Sequence, residues 1–501
     1  MNLAEPLEHW ARVDPDHPAL LFEGRAIGYG ALDRQASRIA HALRAHGLAA
    51  GDRVAIYLPN VPEFATVYYG AQKAGLVPVS INAIFKSAEV EYLVDDSGAR
   101  ALFTTAELAA FVPRARSGPL AHVVVVDAAQ PPAGAVALAD WLGDAPERFD
   151  AVDCAPDAPA ALLYSSGTTG FPKGVTLTQA NIASNVATAA GYSGYRRDDR
   201  LAAFLPLFHV YGQNYILNGA MKAGATVALF RRFVPDVVLD AIARDRITMF
   251  FGVPTIFIGL LGMDLSKWDL SSIRYEMSAA ATMPEEISRR WTERFGRRVY
   301  EGYGLTECSP FACYNDLVEH RFGSVGRAVE GFELRIVDEH DAERPRGEWG
   351  EIAIRGPGVM AGYWGRPDDT AAALRGGWLH SGDIGRMDDD GYVYIVDRVK
   401  DMINVSGFKV WPAEVEQYLY RMPGVREVAV YGVPDPVKGE QVAVAIVPAP
   451  GANLGADDVV AWCRDRIAAY KVPARVEVVA ELPKSATGKI LKRVLREQAG
   501  A

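Results

Sequence analysis

The chain has 501 residues, half of them hydrophobic and 23% charged, with 47 glycines, 30 prolines and a net charge of -10. That length exceeds what one hydrophobic core sustains, so two or more domains are expected, and the composition is that of a turn-rich globular protein. The acidic balance speaks against a nucleic-acid partner, and the dispersed Cys154, Cys308, Cys313 and Cys463 form neither a disulfide framework nor a metal knuckle, which points to a reducing, cytoplasmic compartment.

The N-terminus Met1-Asn2-Leu3-Ala4-Glu5-Pro6-Leu7-Glu8 has neither the basic nor the apolar region of a signal peptide. From Val13 to about Ala160, short apolar strands alternate with helices: strand 53–58, helix 63–75 ending in glycine, strand 77–81. A second unit of this kind runs from Leu177 to Tyr300, with a strand at 225–230 and a helix from Pro235 to Asp245. The apolar, charge-free stretch Ile247–Met263 carries Gly252, Pro254, Gly259 and Gly262, so it reads as buried strand, turn and helix, and no transmembrane helix is expected. Peripheral association with a membrane stays open.

After about Gly323 the pattern changes to short, glycine-punctuated strands at 332–337, 351–355 and 392–396, which suggests a small β-barrel-like subdomain. A final α+β unit begins near Asp401, with a helix opened by Trp411-Pro412, strands 427–431 and 441–447, helix 456–469 and strand 475–479. The boundary near Lys400 lacks a Pro/Gly/Ser linker, which favours a short hinge.

The most informative stretch is Tyr164-Ser165-Ser166-Gly167-Thr168-Thr169-Gly170-Phe171-Pro172-Lys173-Gly174. Glycines let backbone amides turn inward, hydroxyls add donors and lysine adds a mobile charge, a composition suited to a polyphosphate. It departs from the usual P-loop because Lys173 is followed by glycine. By composition alone the stretch could equally be a Gly/Ser/Thr surface loop. Five further segments stand out: 205–212 with His209, 300–307 with Gly302, Tyr303, Gly304, Thr306 and Glu307, 378–383 with Asp383, 396–410 with Arg398, Lys400 and Ser406-Gly407-Phe408-Lys409, and 483–490 with Lys489. Taken singly, each has a plain structural reading: Asp383 an Asx-turn, His209 a core histidine, Arg398 and Lys400 solvated charges.

Together, and in this order, the six segments resemble the signatures of the adenylate-forming enzymes, the superfamily of acyl-CoA synthetases, luciferases and peptide-synthetase adenylation domains. The resemblance covers essentially the whole chain. It implies an α/β fold with a distorted β-barrel subdomain, a large N-terminal domain (1–399) and a small mobile α+β C-terminal domain (401–501) with its hinge at Lys400. It implies that Ser165, Ser166, Gly167, Thr168, Thr169, Gly170, Lys173, Gly302, Tyr303, Gly304, Thr306, Asp383 and Arg398 hold the nucleotide, with Tyr303 along the adenine and Asp383 on the ribose. Glu307 and Thr168 would serve Mg²⁺, and His209 would orient the acid. Lys489 would reach the carboxylate and α-phosphate, and Ser406, Gly407, Phe408 and Lys409 would meet CoA after domain rotation. Val210, Tyr211, Phe250, Gly252, Ala279 and Ala280 would line the acyl pocket, with Ile216, Leu217, Phe251, Val253 and Ile256 around it. Ala279 and Ala280 stand where the family more often has glycine.

The activity implied is ATP- and Mg²⁺-dependent ligation of a carboxylic acid to CoA, without a prosthetic group. The segment 301–310 resembles fatty-acid ligases, and the apolar pocket residues suit a medium- or long-chain fatty acid, with no arginine or lysine for a second carboxylate. An aromatic-acid–CoA ligase, transfer of the adenylate to a carrier protein, and a non-catalytic nucleotide-binding protein are the alternatives. A homodimer and regulation by acylation of Lys489 are left open.

Overall fold

The computed structural model describes residues 1–113, 118–165, 171–315, 319–398 and 401–500. Two large sheets carry the N-terminal part. One has eight strands in the order 362–363, 173–178, 159–165, 77–80, 53–57, 99–104, 122–125 and 136–137. The other has nine, in the order 327–328, 311–314, 299–304, 275–278, 249–252, 200–203, 226–229, 18–22 and 25–28. The central pairings are parallel. Their strands, such as 77–80, 226–229 and 249–252, are buried along their whole length, which is why they read as continuous apolar runs.

The two βα units expected from chain order do not each form one sheet. Pro18–Phe22 pairs in parallel with Thr226–Leu229, so the first strand of the chain completes the second sheet. Helix Pro62–Lys73 is buried at every position except Glu63, as a helix apolar all round must be. Its terminal Lys73 is neutralised inside by Glu8 at 2.9 Å and Asp33 at 2.7 Å. Polar side chains tie this layer to both sheets: Gln72 donates to Ala160 O at 2.7 Å, and Tyr69 donates to Asn218 at 2.7 Å. Asn218 ends a fully buried π-helical segment, Tyr211–Asn218, which no sequence pattern disclosed.

The expected barrel-like subdomain is a four-stranded antiparallel sheet in the order 333–337, 350–355, 379–387, 393–398, with its two edge strands unpaired to one another. The C-terminal part is a five-stranded sheet: 408–410, 403–405, 439–448 and 425–435, with 475–478 added parallel to 439–448. Helices 412–420, 456–464 and 492–498 accompany it. The result is a two-part α/β architecture with a large N-terminal and a smaller C-terminal domain.

No helix among the described residues is long and apolar enough to cross a membrane. Strand 249–252 and helix 254–261 account for the apolar stretch 247–263, as its glycines and prolines required.

Candidate active site

The site is built where the ends of strands from three sheets converge. Strand Val299–Gly304 delivers Gly302, Tyr303 and Gly304, and at the two glycines the neighbouring strand and the following turn leave no room for a side chain. A Cβ on Gly304 would sit 1.4 Å from Pro310 O, and one on Gly302 would meet Met277 Cε at 2.4 Å. The tight turn then carries Thr306 and Glu307 on a short 3₁₀ segment.

Glu307 is 8% exposed. Its Oε1 accepts from Ser165 Oγ at 2.8 Å and from the Tyr363 hydroxyl at 3.1 Å. Ser165 ends strand 159–165, directly before residues 166–170. Of the expected nucleotide loop, Ser166, Gly167, Thr168, Thr169 and Gly170 lie outside the described residues, as does Lys400. Lys173 is placed on the adjacent strand, where its ammonium meets Asp369 at 2.7 Å and lies 5.3 Å from the centre of the Tyr363 ring. Tyr363 and Asp369 carry no motif of their own. Both reach the site because strand 362–363 pairs with 173–178 across nearly two hundred residues of chain, which nothing local announces.

Asp383 sits inside strand Leu379–Met387, beyond Gly382 at φ 70°, and not in an Asx-turn. Its carboxylate is shared between the Tyr303 hydroxyl at 2.8 Å and Arg398 Nε at 3.1 Å. The Asp383 charge holds the Arg398 guanidinium above its usual range.

His209 precedes the π-helical segment, and its Nδ1 accepts the backbone N–H of Tyr211 at 3.2 Å. That bond places the proton of the neutral ring on Nε2. Burial, helped by the nearby Lys489 charge, pushes the imidazole down to about 4, so it is neutral at pH 7. Lys489 thus stands close enough to repel a proton from His209. Lys489 as a residue is exposed, while the protein crowding its ammonium and the Arg398 charge bring it down to about 8; Asp383, Asp401 and Asp397 oppose that shift.

The acyl-pocket residues separate into two groups. Along strand 249–252 successive side chains face opposite ways. Phe251 meets Tyr211, Tyr215 and Tyr275, with ring centres at 6.5, 5.8 and 5.9 Å. Phe250 faces Phe204, Phe233 and Phe257 instead, so it does not share a wall with Tyr211. Val210 is buried beside Tyr211, and Gly252 lies with Phe257, whose ring is 2.9 Å from where a Cβ would be. Ala279 and Ala280 follow strand 275–278, and Ala280 adopts φ 68°, a left-handed conformation that favours glycine.

Ser406 and Gly407 form the tip of the hairpin between strands 403–405 and 408–410, both at positive φ. Phe408 is 56% exposed and stacks on Tyr470, and Lys409 is exposed. Among the described residues no hydrogen bond, ion pair or ring contact joins this loop to His209, Tyr303, Glu307, Asp383 or Lys489. The structure therefore joins Ser165, Tyr363 and Glu307, and Tyr303, Asp383 and Arg398, by hydrogen bonds and leaves the 406–409 loop outside these contacts.

Residues 7–364 match the family of AMP-binding enzymes and residues 414–489 match the AMP-binding enzyme C-terminal domain. The chain belongs to this family: it is an AMP-forming acid–thiol ligase that makes an acyl-adenylate from ATP and ligates the acyl group to CoA. It is 38% identical to a feruloyl-CoA synthase of Amycolatopsis sp, over 98% of this chain and 97% of that protein. It is 34% identical to a long-chain-fatty-acid–CoA ligase of Bacillus subtilis (strain 168), over 97% and 92%. Among solved structures, an anthranilate CoA ligase, AuaEII, in complex with anthranoyl-AMP superposes with a TM-score of 0.93 at 31% identity, over 100% of this chain and 97% of that one. These relatives do not favour the fatty-acid ligases to which segment 301–310 pointed. The alternative of an aromatic acid is the better supported one.

Proposed function

We propose that the chain activates an aromatic carboxylic acid bearing a hydrogen-bonding ring substituent and transfers it to CoA. The observation that carries the choice of acid is Tyr211. It lies two residues beyond His209, edge-on to Tyr215 at 5.4 Å and to Phe251, and its hydroxyl is buried with no hydrogen-bond partner among the described residues. The surrounding hydroxyls are satisfied: Tyr215 by Ser193, Tyr195 by the Tyr215 carbonyl, Tyr275 by Tyr314. An orphaned buried hydroxyl costs about 1–3 kcal/mol, and an alkyl chain offers it nothing. A ring hydroxyl, methoxy or amino group does, while the ring itself packs edge-on in an aromatic slot. The feruloyl and anthranoyl relatives support the same class.

In the first step the neutral His209 orients the acid by donating its Nε2–H to one carboxylate oxygen. The other oxygen attacks the α-phosphorus of ATP, and the bond to pyrophosphate breaks. Lys489 neutralises the charge gathering on the carboxylate and α-phosphate oxygens. Tyr303 lies along the adenine, Asp383 and Arg398 take the ribose, and the 165–170 loop, Lys173 and Thr306 take the phosphates. Lys173 must exchange Asp369 for phosphate as ATP enters.

The donor set fits Mg²⁺, a hard cation that keeps several waters and binds through one or two carboxylates plus substrate phosphates. Glu307 has Oε1 fixed by two hydroxyls, and Thr168 is the second protein ligand of this reading. Among the described residues no cluster of three or more His, Cys, Asp or Glu side chains could hold a metal by itself, so the ion would arrive with the nucleotide. It would screen the phosphate charges.

In the second step the C-terminal domain (401–501) turns about Lys400, withdraws Lys489 and presents Ser406–Lys409. The CoA sulfur attacks the mixed anhydride, its proton leaves to solvent, and the bond to AMP breaks. The test is a kcat/KM series over ferulate, 4-coumarate, benzoate, anthranilate, acetate, octanoate and palmitate. A maximum at a substituted aryl acid is expected. A maximum along the alkyl series overturns the aromatic reading.

A further inference from the structure

Lys489 must enter the site for one half-reaction and leave it for the other, so what holds it there matters as much as its charge. Its loop is a closed unit. Ser485 N donates to Lys489 O at 2.8 Å, Lys489 N donates to Ser485 Oγ at 3.2 Å, and Gly488 N donates to Ser485 O at 2.9 Å. Ser485 Oγ also pairs with Thr487 Oγ1 at 2.8 Å, Lys484 bridges to Ile490, and Leu491 N donates to Pro483 O at 2.8 Å. This finger spends its own polar groups on itself and leaves the Gly488 carbonyl pointing outward.

That carbonyl accepts a hydrogen bond from Thr255 Oγ1 at 3.0 Å, a contact from the N-terminal domain to the peptide unit immediately before Lys489. Thr255 stands in the first turn of helix Pro254–Leu261, three residues after Gly252. The approach is close. Gly488 is at φ 79°, and a Cβ there would lie 3.0 Å from Val253 Cγ2 and 3.2 Å from Thr255 Oγ1. The left-handed backbone angle favours glycine, and the fit against this helix end is tight. Other contacts between the domains include Glu285 N to Gln417 Oε1 at 3.2 Å and Lys492 to Asp397 at 3.4 Å; of these, Glu285–Gln417 lies away from the fingertip in sequence.

We propose that Thr255 is a positioning residue for adenylation: its hydroxyl pins the tip of the Lys489 finger through the Gly488 carbonyl and is released when the domain turns. The inference rests on the assignment of Lys489 to the first half-reaction. A bond that exists only while Lys489 is in place favours the first step. Breaking it is part of the cost of reaching the second.

The test uses the full-length protein, with the acid of highest kcat/KM in the series above and its chemically prepared acyl-adenylate. Pyrophosphate release reads the first half-reaction, and thioester formation from supplied acyl-adenylate and CoA reads the second. Thr255→Val keeps the shape and removes the donor, and Thr255→Ser keeps the donor. Loss of one neutral hydrogen bond should slow adenylation by Thr255→Val roughly three- to tenfold, with Thr255→Ser near the parent rate. Thioester formation should be unchanged or faster. Equal losses in both half-reactions would make Thr255 merely structural, and unchanged adenylation in Thr255→Val would remove its role; either result overturns the proposal. Lys489→Ala run alongside separates the two levels: if it retains adenylation, the assignment of Lys489 itself fails.

Discussion

Asp383 and Arg398 are register partners in adjacent antiparallel strands, and one carboxylate joins distant parts of the chain. Oδ1 accepts from Arg398 and Oδ2 from Tyr303, so the aspartate is nearly dry at 7% exposure yet satisfied on both oxygens. Arg398 lies two residues before Lys400. The proposed nucleotide site is thus braced by the strand that leads into the proposed interdomain boundary.

Asp383→Asn keeps the size and removes the charge. Charge-assisted bonds are worth about 1.5–3 kcal/mol, so KM for ATP should rise roughly tenfold or more, with KM for the acid much less affected. Initial-rate kinetics with each substrate varied checks this. An unchanged KM for ATP removes Asp383 from the nucleotide site.

Lysine is cationic below its pKa and neutral above it. With the Lys489 ammonium brought down to about 8 by the loss of water around it and by Arg398, its useful charge disappears as pH rises through that value. The kcat/KM for adenylation, which reports the free enzyme, should fall above about pH 8. Lys489→Arg should show a lower plateau with no such descent, because guanidinium stays charged. A descending limb shared by both proteins places the titration elsewhere.

Tyr211→Phe removes a hydroxyl that has no hydrogen-bond partner among the described residues. Stability should not fall, while kcat/KM for a hydroxylated or methoxylated aryl acid should drop about tenfold and that for benzoate should hold. A uniform change across the acids would show that the phenol does not read the ring substituent.

Glu301 precedes Gly302 and is 2% exposed, and it accepts the backbone N–H of Met283, beyond the Ala279–Ala281 turn. Burial raises its carboxyl well above the usual range, so the folded protein binds a proton that the unfolded chain gives up. Stability therefore declines as pH rises from about 4.5 towards the folded pKa, the opposite of a salt-bridged carboxylate. Glu301→Gln mimics the protonated acid, so its Tm should exceed that of the parent by more at pH 8 than at pH 5. Parallel Tm–pH curves would mean that Glu301 is ionised in the fold.

Local pattern was enough for the elements whose faces are set by their own residues. The apolar run 53–57, the glycine-ended helix 62–73 and the strand–proline–helix sequence 249–261 formed where periodicity placed them. The motifs were legible for the same reason: Gly304 must be glycine because of a carbonyl only six residues away. What the sequence by itself determined is therefore the type and order of most of the elements, while the adenylating chemistry was legible through the resemblance that its six motifs carry in order.

The tertiary structure alone decided which residues meet. It moved strand 18–22 into the second sheet, set Tyr363 against Glu307 and Asp369 against Lys173, turned Phe250 away from Tyr211, and put Thr255 against Gly488. Alternation along 249–252 already separated Phe250 from Phe251, but not which of them would face Tyr211. Those pairings join segments tens to hundreds of residues apart. They are selected by burial and packing of the assembled chain, and no local periodicity records them.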